Sequence, residues 1–395
     1  FLCYTKERLN LNDDTMSALH LCFDGNFINK CLEVFEKYYP GQNLFLVNKE
    51  KDQFEMLQSD RRLLGVPFVK KNFPLILQLC SENNIDKIIL HGLKSDLVDC
   101  LKFLKQNIDC RVYWIFWGYE LYFTLGNLGK YKLFDGFLNP FLRDTYYSPN
   151  RLSFIVKRFF YGKRLLSDVF KEALTMIDYF CFWNYKDYEL LQAHFHTNIK
   201  YKYFAYMASE ETAIKVNIED VVCKKSKTLM INHQASNTGN HNTVMKKIAW
   251  LDTKNDYKKI VPLSYGSSRI RKLVLRQGQH LFKEQFNPIL EYMPRDKYFE
   301  LMSSVEVAVF GQKRQEASGN ISTLLKNGVK VFLREKNNLL QYYREKGYII
   351  FSFEKDLNSI DDLKPLSLEE QAYNRDCSVR NRIYYDRFMP SFFEE

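Results

Sequence analysis

The chain has 395 residues and carries 57 Lys and Arg against 47 Asp and Glu, a formal charge of +10, with 46% hydrophobic and 16% aromatic residues. That composition argues against a disordered chain, and the length exceeds one ordinary core, so two domains are expected. No run approaches the ~18 uninterrupted apolar residues that span a bilayer.

Residues 1–17 begin "FLCYTKERLNLNDD", with charges where an export signal needs an apolar run, and read as a short tail before the first strand. From residue 18 a rhythm sets in. "LHLCFDG" is a strand leading into a helical pattern at 27–39, and "NLFLVN" (43–48) is the next strand. "FPLILQLCSENN" is helical, "KIILHG" (87–92) a strand, 95–106 helical, and "CRVYWIFWG" (110–118) a strand. Alternating strands and helices predict a parallel sheet covered by helices, and the continuous apolar strands suit burial on both faces. Residues 119–170 interrupt the rhythm with an aromatic, helical excursion, which resumes with "TMIDYFCFWN" (175–184), a helix at 185–193 and "IKYKYF" (199–204).

A polar stretch at 207–224 separates a second series. It runs "KTLMINH" (227–233), helix 240–250, "KKIVPLSYG" (258–266), helix 268–284, "FNPILEYM" (286–293), helix 295–303 and strand 305–310. A helix from Ile321 to Leu325, the strand "VKVFL" and "GYIIFSF" (347–353) complete it, with Gly328 placed as the helix stop. The expected architecture is α/β with two Rossmann-like, doubly wound domains facing a central cleft: 18–206, then 207–366, followed by a helical segment at 367–395. Such halves bind ligands at the carboxyl ends of their strands.

Three strand-end loops of the second half therefore matter. "INHQASNTGNHN" (231–242) offers Asn232, His233, Gln234, Ser236, Asn237, Thr238 and Asn240 as neutral hydrogen-bonding groups. "PLSYGSS" places Tyr265 and Gly266 before a helix start. "RQEASGNISTLLKNGVKVFL" (314–333) opens a helix with small residues, where free backbone N–H groups favour a diphosphate and Arg314 or Lys313 can add charge. Each loop alone reads first as an ordinary turn or helix cap, and it is the three together on one edge of a sheet that point to a ligand cleft. There is no GK[ST] loop and no GxGxxG, which disfavours ATP hydrolysis and a standard dinucleotide site.

In the first half Asp24, His91 and Glu120 sit at strand ends and are candidate bases. Their structural alternatives are a helix cap for Asp24, a core histidine for His91 and a helix-dipole position for Glu120. The nine cysteines lack any CxxC or finger spacing and read as reduced thiols of a cytoplasmic protein, and "HFH" (194–196) lacks a third metal ligand nearby. The positive charge favours an anionic partner: nucleotide phosphates, an anionic membrane surface or nucleic acid. "RLSFIVKRFFYGKRLL" (151–166) is a basic, aromatic helix that either lies on an anionic membrane or packs on its own domain. No base-stacking platform is apparent, so nucleic acid is not expected as a partner.

The ordered set "HG", "WIFWGYELY", "NHQASNTGNHN", "VPLSYG" and "YMPRDKYFELMSSVEVAVFGQKRQEASGNISTLLKNGVKVFLRE" resembles the 4-acetamido-4,6-dideoxygalactose transferases of enterobacterial common antigen assembly. The resemblance is clearest over 227–338 and weak across 119–205. It implies a GT-B fold and a cell-envelope polysaccharide enzyme acting on the cytoplasmic face of the membrane. The reaction implied moves a sugar from a nucleotide diphosphate donor to a lipid-linked acceptor, with inversion and without a bound metal or other cofactor. Carried over by position, Asn232–Asn240 would contact base and phosphate, with Tyr265 and Gly266 near the nucleotide. Arg314, Gln315, Gly319 and Asn320 would lie at the diphosphate, and Glu335 and Asn337 further along. Glu120 stands where the family pattern has Asp. A sugar-nucleotide epimerase, or a non-catalytic nucleotide-sugar-binding protein, is the rival expectation.

Overall fold

The computed structural model describes residues 17–57, 60, 62–135, 166–207 and 227–394. Of these, residues up to 128, 166–207 and 383–394 form one compact unit, and 129–135 with 227–382 form the other. This division differs from the expected one in two places. The start of the excursion, 129–135, belongs to the second unit, as does the helix Leu368–Arg380, while the last residues return to the first. The tail 1–16, the boundary stretch 208–226 and the basic stretch 151–165 lie outside the described residues.

The strands of the first unit are β1 (Ser17–Cys22), β2 (Asn43–Val47), β3 (Leu63–Gly65), β4 (Ile85–His91), β5 (Arg111–Ile115), β6 (Tyr179–Cys181) and β7 (Lys200–Lys202). All neighbours pair in parallel, in the order β3-β2-β1-β4-β5-β6-β7. The second unit holds β8 (Thr228–Ile231), β9 (Lys258–Pro262), β10 (Phe286–Ile289), β11 (Val307–Val309), β12 (Lys330–Leu333) and β13 (Phe351–Ser352). These too are parallel, in the order β10-β9-β8-β11-β12-β13. Successive strands step outward in one direction and then restart on the other side of the first strand. The order therefore reverses at β1/β4 and at β8/β11, and loops diverging at that reversal leave room for a ligand.

The central strands are buried on both faces, with Leu19, Ile88, Ile89, Val112, Leu229, Ile231, Val307 and Val331 all inaccessible. This is why they read as uninterrupted apolar runs. Strand "CRVYWIFWG" stops at Ile115, because Gly118 at φ +97 turns the chain into the helix Tyr119–Asn127. "GYIIFSF" contributes only Phe351–Ser352 as strand, and β3 has no counterpart in the expected series. The ending, expected as a helical segment over 367–395, is α-helical only to Arg380, and beyond it Tyr385, Phe388, Met389 and Phe392 pack into the first unit's core with Phe35, Tyr113 and Phe204. Cys22, Cys31, Cys80, Cys100, Cys110, Cys181 and Cys377 are buried free thiols, as expected; Cys3 and Cys223 lie outside the described residues. Among the described residues no helix is long and apolar enough to cross a membrane.

Candidate functional site

In the second unit the loops after β8, β9 and β11 meet at the order reversal, and two side chains lock them together. Asn232, held at φ +57, accepts the Gly311 amide through Oδ1 (2.7 Å) and donates Nδ2 to the Gly239 carbonyl (2.9 Å). Asn240 donates Nδ2 to the Gly311 carbonyl (2.9 Å). These bonds fix the two loops so closely that a Cβ on Gly311 would lie 2.1 Å from the Gly239 oxygen. The β9 loop joins through a bridge between Ala235 and Gly266, where φ is +106 and a Cβ would sit 2.6 Å from the Ala235 oxygen. Glycine is needed there on both counts.

At the centre of these loops lies Glu316, which no sequence pattern singles out. Its carboxylate accepts from Gln234 Nε2 (2.5 Å) and Thr238 Oγ1 (2.6 Å) and pairs with Arg314 Nη2 (3.0 Å). His233 Nε2 lies 3.8 Å away. Burial opposes the charge on Glu316, but Arg314 and the hydrogen bonds outweigh it and hold the carboxyl below its usual range. Burial also pushes His233 down to about 4, so the imidazole is neutral and Arg314 is the neighbouring cation. Gln312 Nε2 reaches His233 Nδ1 at 3.4 Å, while its Oε1 is buried without a partner among the described residues.

The other expected donor residues occupy distinct places. Ser236 caps a short turn by accepting the Thr238 amide (3.1 Å), and Asn237 lies within that turn. Tyr265 is half exposed, its ring edge-on to His233 at 6.5 Å. Gln315 is buried and its carbonyl accepts from Arg314 Nη1 (3.1 Å). The helix Ser318–Lys326 starts from Ala317 in the left-handed region, and no side chain caps it. Gly319 faces open space, and Asn320 donates to the Tyr298 hydroxyl (3.2 Å). An uncapped helix start beside an arginine is a place where an oxyanion is stabilised by backbone N–H groups. Lys313, by contrast, turns into an ion-pair network with Asp135 and Arg334. Glu335 is paired with Lys355 (2.6 Å), and Asn337 caps the next helix through the Leu339 amide (3.0 Å).

In the first unit the three candidate bases have different surroundings. Asp24 accepts the amides of Glu55 (2.7 Å), Met56 (3.0 Å) and Leu57 (3.1 Å) and pairs with Lys49. Burial opposes its charge, but these donors prevail and lower the carboxyl further, which makes it a weak base. His91 Nε2 lies 3.0 Å from His20 Nδ1, and His20 Nε2 is 3.3 Å from Asn43 Oδ1. Asn43 accepts from His20, so His91 donates to His20, and both rings are neutral in the core. Burial pushes His91 down to about 3. Neither residue suits proton abstraction near neutrality.

Glu120 is fully buried in the first turn of its helix. Its Oε1 receives long bonds from Trp114 Nε1 and the Trp117 amide, both 3.4 Å, the backbone of Glu120 and Leu93 adds weaker contacts, and Oε2 has no partner of good geometry among the described residues. Burial outweighs these bonds and pushes the carboxyl up to about 7. A poorly satisfied carboxyl that titrates near neutrality is suited to exchange a proton with a ligand. Gly92 lies beside it after β4, where its φ of +83 favours glycine and a Cβ would be at the ordinary contact distance of 3.4 Å from Oε1. Helix Tyr185–Phe195 carries His194, and His196 caps it. Among the described residues no group of three or more His, Cys, Asp or Glu side chains is placed to hold a metal ion.

Comparison with known proteins adds a family and a fold. The profile of the family described as 4-alpha-L-fucosyltransferase, glycosyl transferase group 56, matches residues 160–366, just over half of the chain. The alpha,alpha-trehalose-phosphate synthase (UDP-forming) of Burkholderia vietnamiensis superposes with a TM-score of 0.60 at 11% identity, covering 96% of this chain and 100% of that one. Sucrose-phosphate synthase of Thermosynechococcus elongatus gives 0.59 at 8% identity over 95% of each chain. Anabaena HepE in complex with UDP and glucose gives 0.58 at 11% identity, over 96% of this chain and 99% of that one. At such identities the likeness is one of fold, which is GT-B with two Rossmann-like units. No curated protein sequence matches the chain.

Proposed function

The chain belongs to glycosyl transferase group 56, and on that premise we propose that it transfers a 6-deoxyhexose from a nucleotide diphosphate donor, with inversion and without a metal. The family description names a fucosyl group, a 6-deoxyhexose, and the sequence resemblance points to another, 4-acetamido-4,6-dideoxygalactose, on a dTDP-linked donor. The acceptor proposed is a lipid-linked saccharide of cell-envelope polysaccharide, met at the cytoplasmic face of the membrane, with 151–166 as the anionic-lipid contact.

The observation that carries the donor reading is the uncapped helix start at Ala317–Ser318, with Arg314 and buried Glu316 beside it. Backbone N–H groups and a cation there neutralise the charge that grows on the leaving diphosphate. Asn232 and Asn240 hold the loops, Gly266 and Gly319 let the donor approach the backbone, and Tyr265 offers an exposed ring. In the first unit Glu120 takes the proton of the acceptor hydroxyl. The oxygen then bonds to the anomeric carbon as the bond to the diphosphate breaks, and the electron pair leaves with the phosphate.

A thermal-shift panel of UDP-, dTDP- and GDP-linked hexoses and 6-deoxyhexoses tests this. A ligand that binds the native protein raises its melting midpoint by mass action, and the dTDP- or UDP-linked 6-deoxyhexoses are expected to give the largest rise. No rise with any nucleotide sugar would remove the donor reading.

A further inference from the structure

Beside Glu120, three aromatic rings form a corner that plays no part in the proposed donor site. Phe27 opens the helix Asn26–Tyr38, Trp117 follows β5, and Tyr206 follows β7. The Phe27 and Trp117 rings stand 6.1 Å apart at 80°, Phe27 and Tyr206 5.4 Å at 47°, and Trp117 and Tyr206 5.9 Å at 87°. All three come from the carboxyl ends of strands, the edge where ligands bind in such sheets. Phe27 is 48% exposed, unusual for a phenylalanine whose neighbours could have covered it.

Beneath the rings three buried polar atoms make no hydrogen bond of good geometry among the described residues: Trp117 Nε1, Tyr206 Oη and Glu120 Oε2, the indole and the hydroxyl having only a weak contact with each other. One is a donor, one an acceptor, and one is either. Leaving three such atoms poorly satisfied in one place is costly for folding alone. Two glycines pack against the indole: Gly25, where a Cβ would sit 3.7 Å from Trp117 Cη2, and Gly92, where it would sit 3.6 Å from Cγ, both ordinary contact distances.

From these observations we infer that Phe27, Trp117 and Tyr206 form a saccharide subsite, in which a pyranose ring stacks on the aromatic faces and its hydroxyls bond to Trp117 Nε1, Tyr206 Oη and Glu120 Oε2. A pyranose has the matching chemistry, with an apolar C–H face to lie on a ring and hydroxyls around its rim that both donate and accept. A lipid chain would cover the rings but leave all three polar atoms unpaired. The inference rests on the glycosyltransferase reading and assigns the acceptor sugar to this corner. Because the polar atoms are covered by the rings, sugar binding must turn Trp117 or Tyr206 aside, which uncovers Glu120 as the acceptor hydroxyl arrives.

The indole N–H signals of the full chain read this directly, since the protein has only four tryptophans. The probes are methyl α- and β-glycosides of glucose, galactose and N-acetylglucosamine, with W117F used for assignment. Expected are saturable shifts of the Trp117 and Trp114 indole signals while Trp250, in the second unit, stays fixed. F27A should weaken glycoside binding about two- to tenfold, the range for losing one aromatic contact, and F27Y should restore it. Y206F should weaken it with the ring still present. No Trp117 response to any glycoside overturns the inference, as does glycoside affinity indifferent to F27A. A response to octanol alone assigns the corner to lipid and also overturns it. Parallel titration with UDP and dTDP separates this outcome from the donor reading: nucleotides that bind while glycosides fail remove only the corner, and the reverse removes only the donor site.

Discussion

Replacing Glu120 by Gln tests the base through its own energetics. The carboxyl is pushed from 4.5 to about 7 by full burial, and that displacement corresponds to about 3 kcal/mol at ~1.4 kcal/mol per pH unit. The sign follows from proton counting. Between the unfolded and folded values the native protein holds the proton that the unfolded chain has released, so stability falls as pH rises from about 4.5 to about 7. Gln keeps the shape and cannot ionise. E120Q should therefore match the wild type in melting midpoint at the acid end of that window and exceed it above the window. Turnover should fall by about 10²–10⁴, the usual worth of a general base, while donor binding persists. Wild-type turnover should rise with pH through the same region and level off above it. The assay pairs thermal unfolding with initial rates across pH. Midpoints of wild type and E120Q that run parallel through the window, or unchanged turnover, would refute the reasoning.

R314A removes the cation beside Glu316, and calorimetry with the nucleotide donor should show a loss of about 2–3 kcal/mol if Arg314 meets phosphate; unchanged affinity would take Arg314 out of the site. D24N should leave turnover near that of the wild type while weakening the 54–57 loop, because Asp24 accepts three backbone amides there. A lower melting midpoint with intact kcat is expected, and a turnover loss like that of E120Q would restore Asp24 as a base. G266A places a Cβ 2.6 Å from the Ala235 oxygen at φ +106, so it should cost on the order of 1–3 kcal/mol and weaken donor binding together with stability. Binding to anionic vesicles should weaken as salt rises if 151–166 meets lipid headgroups; equal binding to neutral vesicles at high salt would contradict that.

The two sheets were legible because doubly covered strands are uninterrupted apolar runs, as "LFLV" and "KIILH" are. The site loops were legible for a related reason: Asn, Gly and Ser after a strand mark turns whose backbone can be approached. Gly328, at φ +75, ends its helix as its position suggested. What was not legible depends on partners distant in sequence. β3 is only three residues long and takes its place from pairing with β2. Phe388, Met389 and Phe392 look like the end of a helical segment until the first unit's core receives them. Glu316 is one charge in "KRQEASG", and its importance arises only where the β8 loop brings His233, Gln234 and Thr238 to it. His91 and Glu120 looked alike as strand-end candidates. His20, 71 positions away from His91, distinguishes them by making that histidine part of a core pair.

The central claim is transfer of a sugar to an acceptor, and product analysis tests it most directly. The full-length protein would be incubated with a dTDP- or UDP-linked 6-deoxyhexose, with and without a membrane lipid extract containing lipid-linked saccharides, and with and without a chelator. The account predicts nucleoside diphosphate release and labelled sugar in the lipid fraction only when the extract is present, unchanged by the chelator, with the anomeric configuration inverted. Donor that is epimerised or hydrolysed equally well without the extract, or transfer that stops when divalent ions are removed, would contradict it.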